Sequence, residues 1–234
     1  MLGTRMSNNG FVQTLPSTIM TSAIGRKYCS GDTTEMVFRI DSTTIPDFDE
    51  SQSCEHRPDD DRRMIVHIFG CPNSGKTTLR RNLSKRHPDY PNYCIDDFRR
   101  RYGDGTFEGE IDAQIRFGHA MMDGGFFECS GSGRFTEYNL SANRYRPQYI
   151  VVMDASAEVC ISRITEGKYD GIPFPFTDSD EDFIRSVSIF LSSERFGRIR
   201  RGIPTLWLET DIPLNEQTEK VEKFTGLDSP SHCR

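Results

Sequence analysis

From residue 63 onward, apolar positions switch repeatedly between two patterns. Met64-Ile-Val-His-Ile-Phe69 and Tyr149-Ile-Val-Val-Met-Asp154 are nearly unbroken apolar runs, the mark of strands buried on both faces. Ile203-Pro-Thr-Leu-Trp-Leu-Glu209 reads the same way, and Tyr93–Asp96 and Phe126–Cys129 are shorter candidates. Between these runs apolar residues recur every three or four positions. Leu79 and Leu83 mark one helix, and Ile111, Ile115, Gly118 and Met122 a second through Glu110–Asp123, stopped by Gly124-Gly125. Val159, Ile161 and Ile164 define a third over Ala157–Thr165, with Ser156 placed to cap it. Phe183, Val187, Phe190 and Leu191 mark a long fourth helix running on into Arg195, Arg198, Arg200 and Arg201, and Asn215–Phe224 a last one. Strands alternating with helices predict an α/β domain: a five-stranded parallel sheet with helices on both faces, a three-layer sandwich.

Residues 1–62 break this pattern. They are rich in Ser, Thr, Asn and Asp, and only Met36–Ile40 has the makings of a strand. Such composition buries too little apolar surface to offset ordering entropy, so a disordered or weakly structured N-terminal extension is expected. Residues 63–234 form the expected domain. The whole chain has 234 residues, a hydrophobic fraction of 35% and a net charge of −6. That charge supplies no general attraction to nucleic acid or anionic membrane, so any nucleic-acid contact needs a local basic groove. Seven cysteines, scattered and without a C-x-x-C pair, predict reduced thiols in place of a disulfide framework or zinc site. With no apolar run of membrane-spanning length and no signal-peptide pattern, the expectation is a soluble cytoplasmic protein with no membrane association, in the host cytoplasm if the chain is viral. No partner protein is evident.

Candidate chemistry gathers where the first strand ends. Gly70-Cys71-Pro72-Asn73-Ser74-Gly75-Lys76-Thr77-Thr78 contains G-x-x-x-x-G-K-[ST] between a buried strand and an amphipathic helix. Glycine at both ends lets the loop turn its N–H groups inward around phosphate oxygens, and the helix aims its positive N-terminus at the same point. Lys76 then reaches the outer phosphates of a nucleotide such as ATP, and the Thr77 hydroxyl is the expected Mg²⁺ ligand. The remaining strands end in polar residues on the same side of a parallel sheet, where ligands bind. Asp96 and Asp97 end the second strand; Asp96 is expected to face the phosphate loop, Asp97 to cap the next turn. Glu128, followed by Ser130-Gly-Ser-Gly-Arg134, ends the third. A carboxylate buried at a strand end is costly, which points to a role in the site. Residues 167–176 read as a mobile loop.

At Lys76, Asp96, Arg99 and Arg163 the chain resembles the kinase domain of phage-type polynucleotide kinases, within the wider group of small P-loop kinases. The phosphate loop and Asp96-Asp97-Phe98-Arg99 carry the likeness, which covers about residues 64–173. It implies that Asp96 is the general base and that Arg99 binds an acceptor phosphate. Asp154, Arg163 and Pro173 resemble the family's strand, helix and lid. Two departures are plain. The lid stretch offers Lys168 where the family presents an Arg, and the third strand ends in Glu128-Cys-Ser-Gly-Ser-Gly in place of an Asp motif.

The leading expectation is an ATP- and Mg²⁺-dependent kinase acting on a hydroxyl of a nucleic-acid or nucleotide acceptor. Lys76, Asp96, Arg163 and Lys168 are its catalytic candidates; Arg99, Glu128, Ser130 and Arg134 are its substrate contacts. A polynucleotide-kinase-like enzyme acting on a hydroxymethylated base within DNA is one form of it. A kinase for a free nucleoside, nucleoside monophosphate or other small alcohol is the alternative within the class. A nucleotide-dependent switch or binding module is the alternative outside it, with Asp154 as its only candidate Walker-B carboxylate.

Overall fold

The computed structural model describes residues 63–165 and 180–227, together with the strand segments β1, Gln13–Leu15, and β2, Met36–Phe38. β1 and β2 pair antiparallel, Thr14 opposite Val37, in a two-stranded sheet belonging to a compact unit of its own. The strand expected at Met36–Ile40 is therefore present in shortened form. Its partner at Gln13–Leu15 was not foreseen, because three residues are too few to show a period. The rest of the expectation for 1–62, and the loop expected at 167–176, lie outside the described residues.

The second unit holds a five-stranded parallel sheet. Its strands are β3 (Ile65–Phe69), β4 (Asn92–Cys94), β5 (Gly125–Glu128), β6 (Gln148–Asp154) and β7 (Thr205–Glu209), in the order β4-β5-β3-β6-β7. Chain order reverses at β3. β5 and β6 flank it, with Val66 opposite both Phe126 and Tyr149, and the phosphate loop leaves its end. The helices are α1 (Lys76–Arg86), α2 (Ile95–Tyr102), α3 (Phe107–Ala120), α4 (Arg134–Ala142), α5 (Ala157–Thr165), α6 (Asp180–Leu191), α7 (Glu194–Ile199) and α8 (Leu214–Thr225). Alternate residues of β3 face opposite layers, as a strand period of two requires. Val66 and Ile68 pack with Leu79, Leu83 and Val221 of α1 and α8. Ile65 joins Ile95, Phe117 and Phe127, while Phe69 joins Leu140, Cys160, Ile184 and Phe196. The three-layer α/β sandwich with a parallel sheet is as expected.

Local details depart from the sequence pattern. β4 stops at Cys94, and Asp96 and Asp97 lie in the first turn of α2, not on a strand. The cap position of α2 is Cys94, so Asp97 is not an N-cap. In α3 the buried face is Gly109, Glu110, Ala113 and Phe117, leaving Ile111 and Ile115 half-buried and Met122 exposed. The stripe of larger aliphatics thus misplaced the face by about one position. Val159 is exposed, and Ala157 and Cys160 fill the core in its place. Ser156 does cap α5, accepting from the Val159 N–H at 3.2 Å. The long helix expected after Phe183 breaks at Ser192-Ser193, where the Ser193 hydroxyl accepts from Phe196 N–H and starts α7. Helix α4 follows a loop that had shown only small residues. Among the described residues no helix is long and apolar enough to cross a membrane.

Candidate active site

The phosphate loop runs from Gly70 to Thr77 between β3 and α1. Gly70 has φ 152°, Asn73 φ 60° and Gly75 φ 98°. A Cβ on Gly70 would meet Ser74 Oγ at 2.7 Å, so glycine is required there by space as well as by backbone angle. Helix α1 opens without a side-chain cap and without an acidic residue in its first turn. Its first N–H groups and its positive dipole end are therefore left for an external anion. Inside the loop, Ser74 Oγ and Asn73 Nδ2 are buried without a partner, which is the state expected of groups meant for a ligand. Lys76, only 9% exposed, folds back so that Nζ donates to the Cys71 carbonyl at 2.6 Å. The Cys71 thiol turns away into the core toward the Ile184 carbonyl, 3.5 Å distant. Its hydrogen bond with Cys160, and then burial, push it well above the usual thiol range. Cys71 thus serves the loop through its backbone. Thr78 points outward from α1.

Opposite the loop stands Glu128, buried at the end of β5. The Thr77 hydroxyl donates to Glu128 Oε1 at 2.5 Å, and Arg80 Nε donates to Oε2 at 2.8 Å. Arg80 in turn reaches Asn92 Oδ1 on β4. Glu128 was expected on the substrate; the geometry sets it beside the residue expected to bind metal. Asp154, the earlier candidate for a metal-side carboxylate, is exposed at the end of β6. Arg80 is a residue that sequence reasoning missed, since a lone Arg in an amphipathic helix looks like a solvated position.

The acceptor side is built by α2 and α3. Arg99 donates to Asp96 Oδ1 at 2.8 Å and to both oxygens of Glu110, each at 2.8 Å. Burial works against the Arg99 charge, but the Glu110 and Asp96 carboxylates outweigh it and hold the guanidinium firmly protonated. Glu110, 8% exposed, is a second residue missed from sequence. Two thiols lie at the ends of the neighbouring strands β5 and β4. Burial pushes Cys129, just after β5, up to about 11, with the Lys76 and Arg99 charges both opposing. Burial, then Glu128 and Asp96, push Cys94 up to about 12. The phosphate loop, Glu128 and helix α2 with its Asp96–Arg99 pair follow the same ends of the adjacent parallel strands β3, β5 and β4. Asp97 faces outward and pairs at 3.2 Å with Arg100, both exposed.

Arg163 joins the site from α5, donating to the Asn73 carbonyl at 2.6 Å. The Gly70 N–H donates to the Ser130 carbonyl at 3.3 Å, and the Ser130 and Ser132 hydroxyls meet at 2.9 Å. Gly131 packs under the Phe69 ring, where a Cβ would come within 2.5 Å. Arg134 opens α4 and makes no hydrogen bond or ion pair with the described residues. Lys168 lies outside the described residues.

The residues present fit a nucleotide triphosphate with its magnesium ion. The orphaned Ser74 and Asn73 groups, the uncapped α1 and Lys76 provide the phosphate cradle, and Thr77 with Glu128 provides hard oxygen donors. A five-stranded parallel sheet whose central strand runs through this loop into a helix is the three-layer α/β sandwich of P-loop folds. By sequence, the chain matches no protein-family model and no curated protein. By structure, it is similar to an unliganded sugar kinase from a Janibacter species, with TM-score 0.50, 16% identity, and coverage of 71% of this chain and 96% of that one. It also overlays a gluconokinase from Sinorhizobium meliloti with TM-score 0.49, 16% identity and coverage of 71% and 94%. A shikimate kinase from Acinetobacter baumannii in complex with shikimate gives TM-score 0.49, 12% identity and coverage of 73% and 97%. At such identities the likeness is one of fold.

Proposed function

We propose that this chain is an ATP-dependent kinase that transfers the γ-phosphoryl group to a hydroxyl. The observation that carries it is the Thr77–Glu128 contact beside a phosphate loop with orphaned polar groups, with the Asp96–Arg99 pair on the helix that follows the nearby parallel strand β4. Phosphoryl transfer needs positioning and charge neutralisation more than covalent chemistry, and these residues supply both. Lys76 leaves the Cys71 carbonyl for the phosphate oxygens. Arg163, already on the loop, is the cation best placed to stabilise charge at the transferred group. Asp96, oriented by Arg99, accepts the proton of the acceptor hydroxyl. The freed oxygen bonds to phosphorus as the bridging P–O bond to ADP breaks. Thr77 and Glu128 would hold the magnesium ion, which when bound would supply charge neutralisation at the phosphates.

The acceptor is proposed to be a nucleotide or a nucleic-acid end, on the Asp-Asp-aromatic-Arg resemblance, with Arg134 and Ser130 lining its approach. One observation favours the second reading, a free nucleoside or other small alcohol. Arg99, which the resemblance assigns to an acceptor phosphate, is already engaged by Glu110 and Asp96. Transfer of labelled γ-phosphate to 5′-hydroxyl DNA and RNA, nucleosides, nucleoside monophosphates and sugar alcohols distinguishes the two. Acceptor-stimulated consumption of ATP is expected. ATP turnover that ignores every hydroxyl offered would favour a nucleotide switch instead.

A further inference from the structure

A second basic site lies at the other end of the sheet. A pocket of about 460 Å³ opens between the start of β6, the start of β7 and the ends of α4 and α7. Because all five strands run parallel, this is the edge opposite the phosphate loop. The seven residues of β6 separate the two by about 20 Å at the usual strand rise. Arg144, Arg146 and Arg201 line the pocket, and neither Asp nor Glu does. Arg146 is 9% exposed, and its Nε and Nη1 are buried without a hydrogen-bond partner. Its nearest compensation is the Tyr145 ring, whose centroid is 5.9 Å from the guanidinium carbon, at the outer limit of a cation–π contact. The side chains of Arg144 and Arg201 have no carboxylate partner among the described residues.

A buried cation without a partner is costly, and most such groups are paired or ligand-bound. Among the described residues, none that lines the pocket is acidic. Gln148 is committed, its amide donating to the Leu140 carbonyl at 3.0 Å and its oxygen facing His67. The remaining walls include Ile199 and Ile203, which suit an apolar or ring portion of a ligand. The volume falls within the range of roughly 300–1,000 Å³ common to small-molecule pockets.

We infer that this pocket binds a small phosphate-bearing molecule of about mononucleotide size, with Arg146 as the buried anchor and Arg144 and Arg201 as the outer clamp. The site is separate from the proposed catalytic one and does not depend on that reading. A guanidinium suits a phosphate because its planar fork donates two parallel hydrogen bonds. A discrete ligand is preferred over a nucleic-acid backbone because the unpartnered guanidinium is buried in a pocket, not laid along an open stripe.

The test is calorimetric titration of the full chain carrying Lys76→Ala with inorganic pyrophosphate, so that binding at the phosphate loop is weakened. Binding is expected to persist, and Arg146→Met added to that chain should weaken it by at least about tenfold, the scale of a lost charged hydrogen bond. If Arg146→Met fails to fold, the double variant Arg144→Ser and Arg201→Ser, at exposed positions, decides through the same loss. Pyrophosphate affinity unchanged by the arginine substitutions, or absent before them, would overturn the site. A parallel arm uses a ten-residue oligothymidylate. If it displaces pyrophosphate and binds more tightly, with an affinity that falls steeply with salt, the small-ligand assignment is overturned in favour of a nucleic-acid strand.

Discussion

Three residues decide whether the proposed chemistry is right. Lys76→Ala should abolish phosphoryl transfer while the thermal transition stays in place, because its amine donates its hydrogen bond to a loop carbonyl. A folded variant with full activity would remove the phosphate-loop reading. Asp96 and Asp97 are separated more sharply by the structure than by adjacency. On a helix, successive residues point about 100° apart, and only Asp96 is turned to Arg99. Asp96→Asn should lower kcat about 10²–10⁴-fold with ATP affinity little changed, the usual contribution of a positioned base. Asp97→Asn removes one exposed pair with Arg100, so its effect on stability should stay under about 1 kcal/mol. Steady-state kinetics on both variants would show the reverse order if the assignment is wrong. His67 gives a prediction in pH. It is buried on β3, the central strand of the sheet, and because Gln148 donates its amide to Leu140, the Gln148 oxygen faces His67, which donates from Nε2. Burial, opposed by that hydrogen bond, lowers its pKa to about 4. The unfolded chain therefore binds the proton first. His67 contributes no pH dependence above about 6.5, and costs stability progressively as pH falls from there toward 4, reaching about 3 kcal/mol. Chemical denaturation of the parent and of His67→Asn between pH 4 and 7 should show the variant losing less over that window. Equal slopes would mean that His67 is not held neutral.

At the scale of elements, the site depends on how loops end and helices begin. α1 lacks a cap, which favours anion binding, whereas α3 and α7 are capped by Thr106 and Ser193. Ser193→Ala should cost about 0.5–2 kcal/mol through loss of the bond from the Phe196 N–H. Phe196 is wholly buried against Phe69, so fraying of α7 loosens the layer behind the phosphate loop. A denaturation midpoint unchanged in Ser193→Ala would show that Phe196 packing alone holds α7. The break between α6 and α7 was legible in retrospect, since Ser-Ser followed by Glu is a helix-start pattern. The hydrophobic period ran across it and hid it. The buried face of α3 was hidden differently, because Ala113 and Gly109 contribute little to an apolar stripe yet are buried, Gly109 close against Asp104 of the preceding loop.

For the whole molecule, the two compact units raise the question of what the N-terminal one contributes. We expect deletion of residues 1–62 to leave phosphoryl transfer and melting temperature nearly unchanged. The five-stranded sheet and its three core clusters are complete from residue 64 onward. A truncated chain that melts many degrees lower would show that this segment supports the domain. The net charge of −6 conceals a molecule with arginines concentrated at both ends of its sheet. At the phosphate-loop end Arg80 and Arg99 are matched by carboxylates, while Arg163 there, and Arg144, Arg146 and Arg201 around the far pocket, have no carboxylate partner among the described residues.

The amino-acid sequence by itself determined the fold class and the phosphate loop. Both are written in short-range pattern: an apolar run, two glycines at fixed spacing, then a helical period. Each link is local, so no distant contact is needed to read it. The sheet order was decided by tertiary structure, as were the partners of the charged residues. Arg80 meets Glu128 across 48 residues, and Arg99 meets Glu110 on a different helix. Nothing near any of these residues in the chain announces its partner. The resemblance singled out Asp96 and Arg99 and set Arg99 on an acceptor phosphate; in the structure Arg99 also bonds to Glu110 of α3. The pocket at the far end of the sheet had no sequence signal beyond a scatter of arginines. Only the parallel alignment of β6 and β7 brings Arg146 and Arg201 to one place, because it sets the starts of two strands more than fifty residues apart side by side.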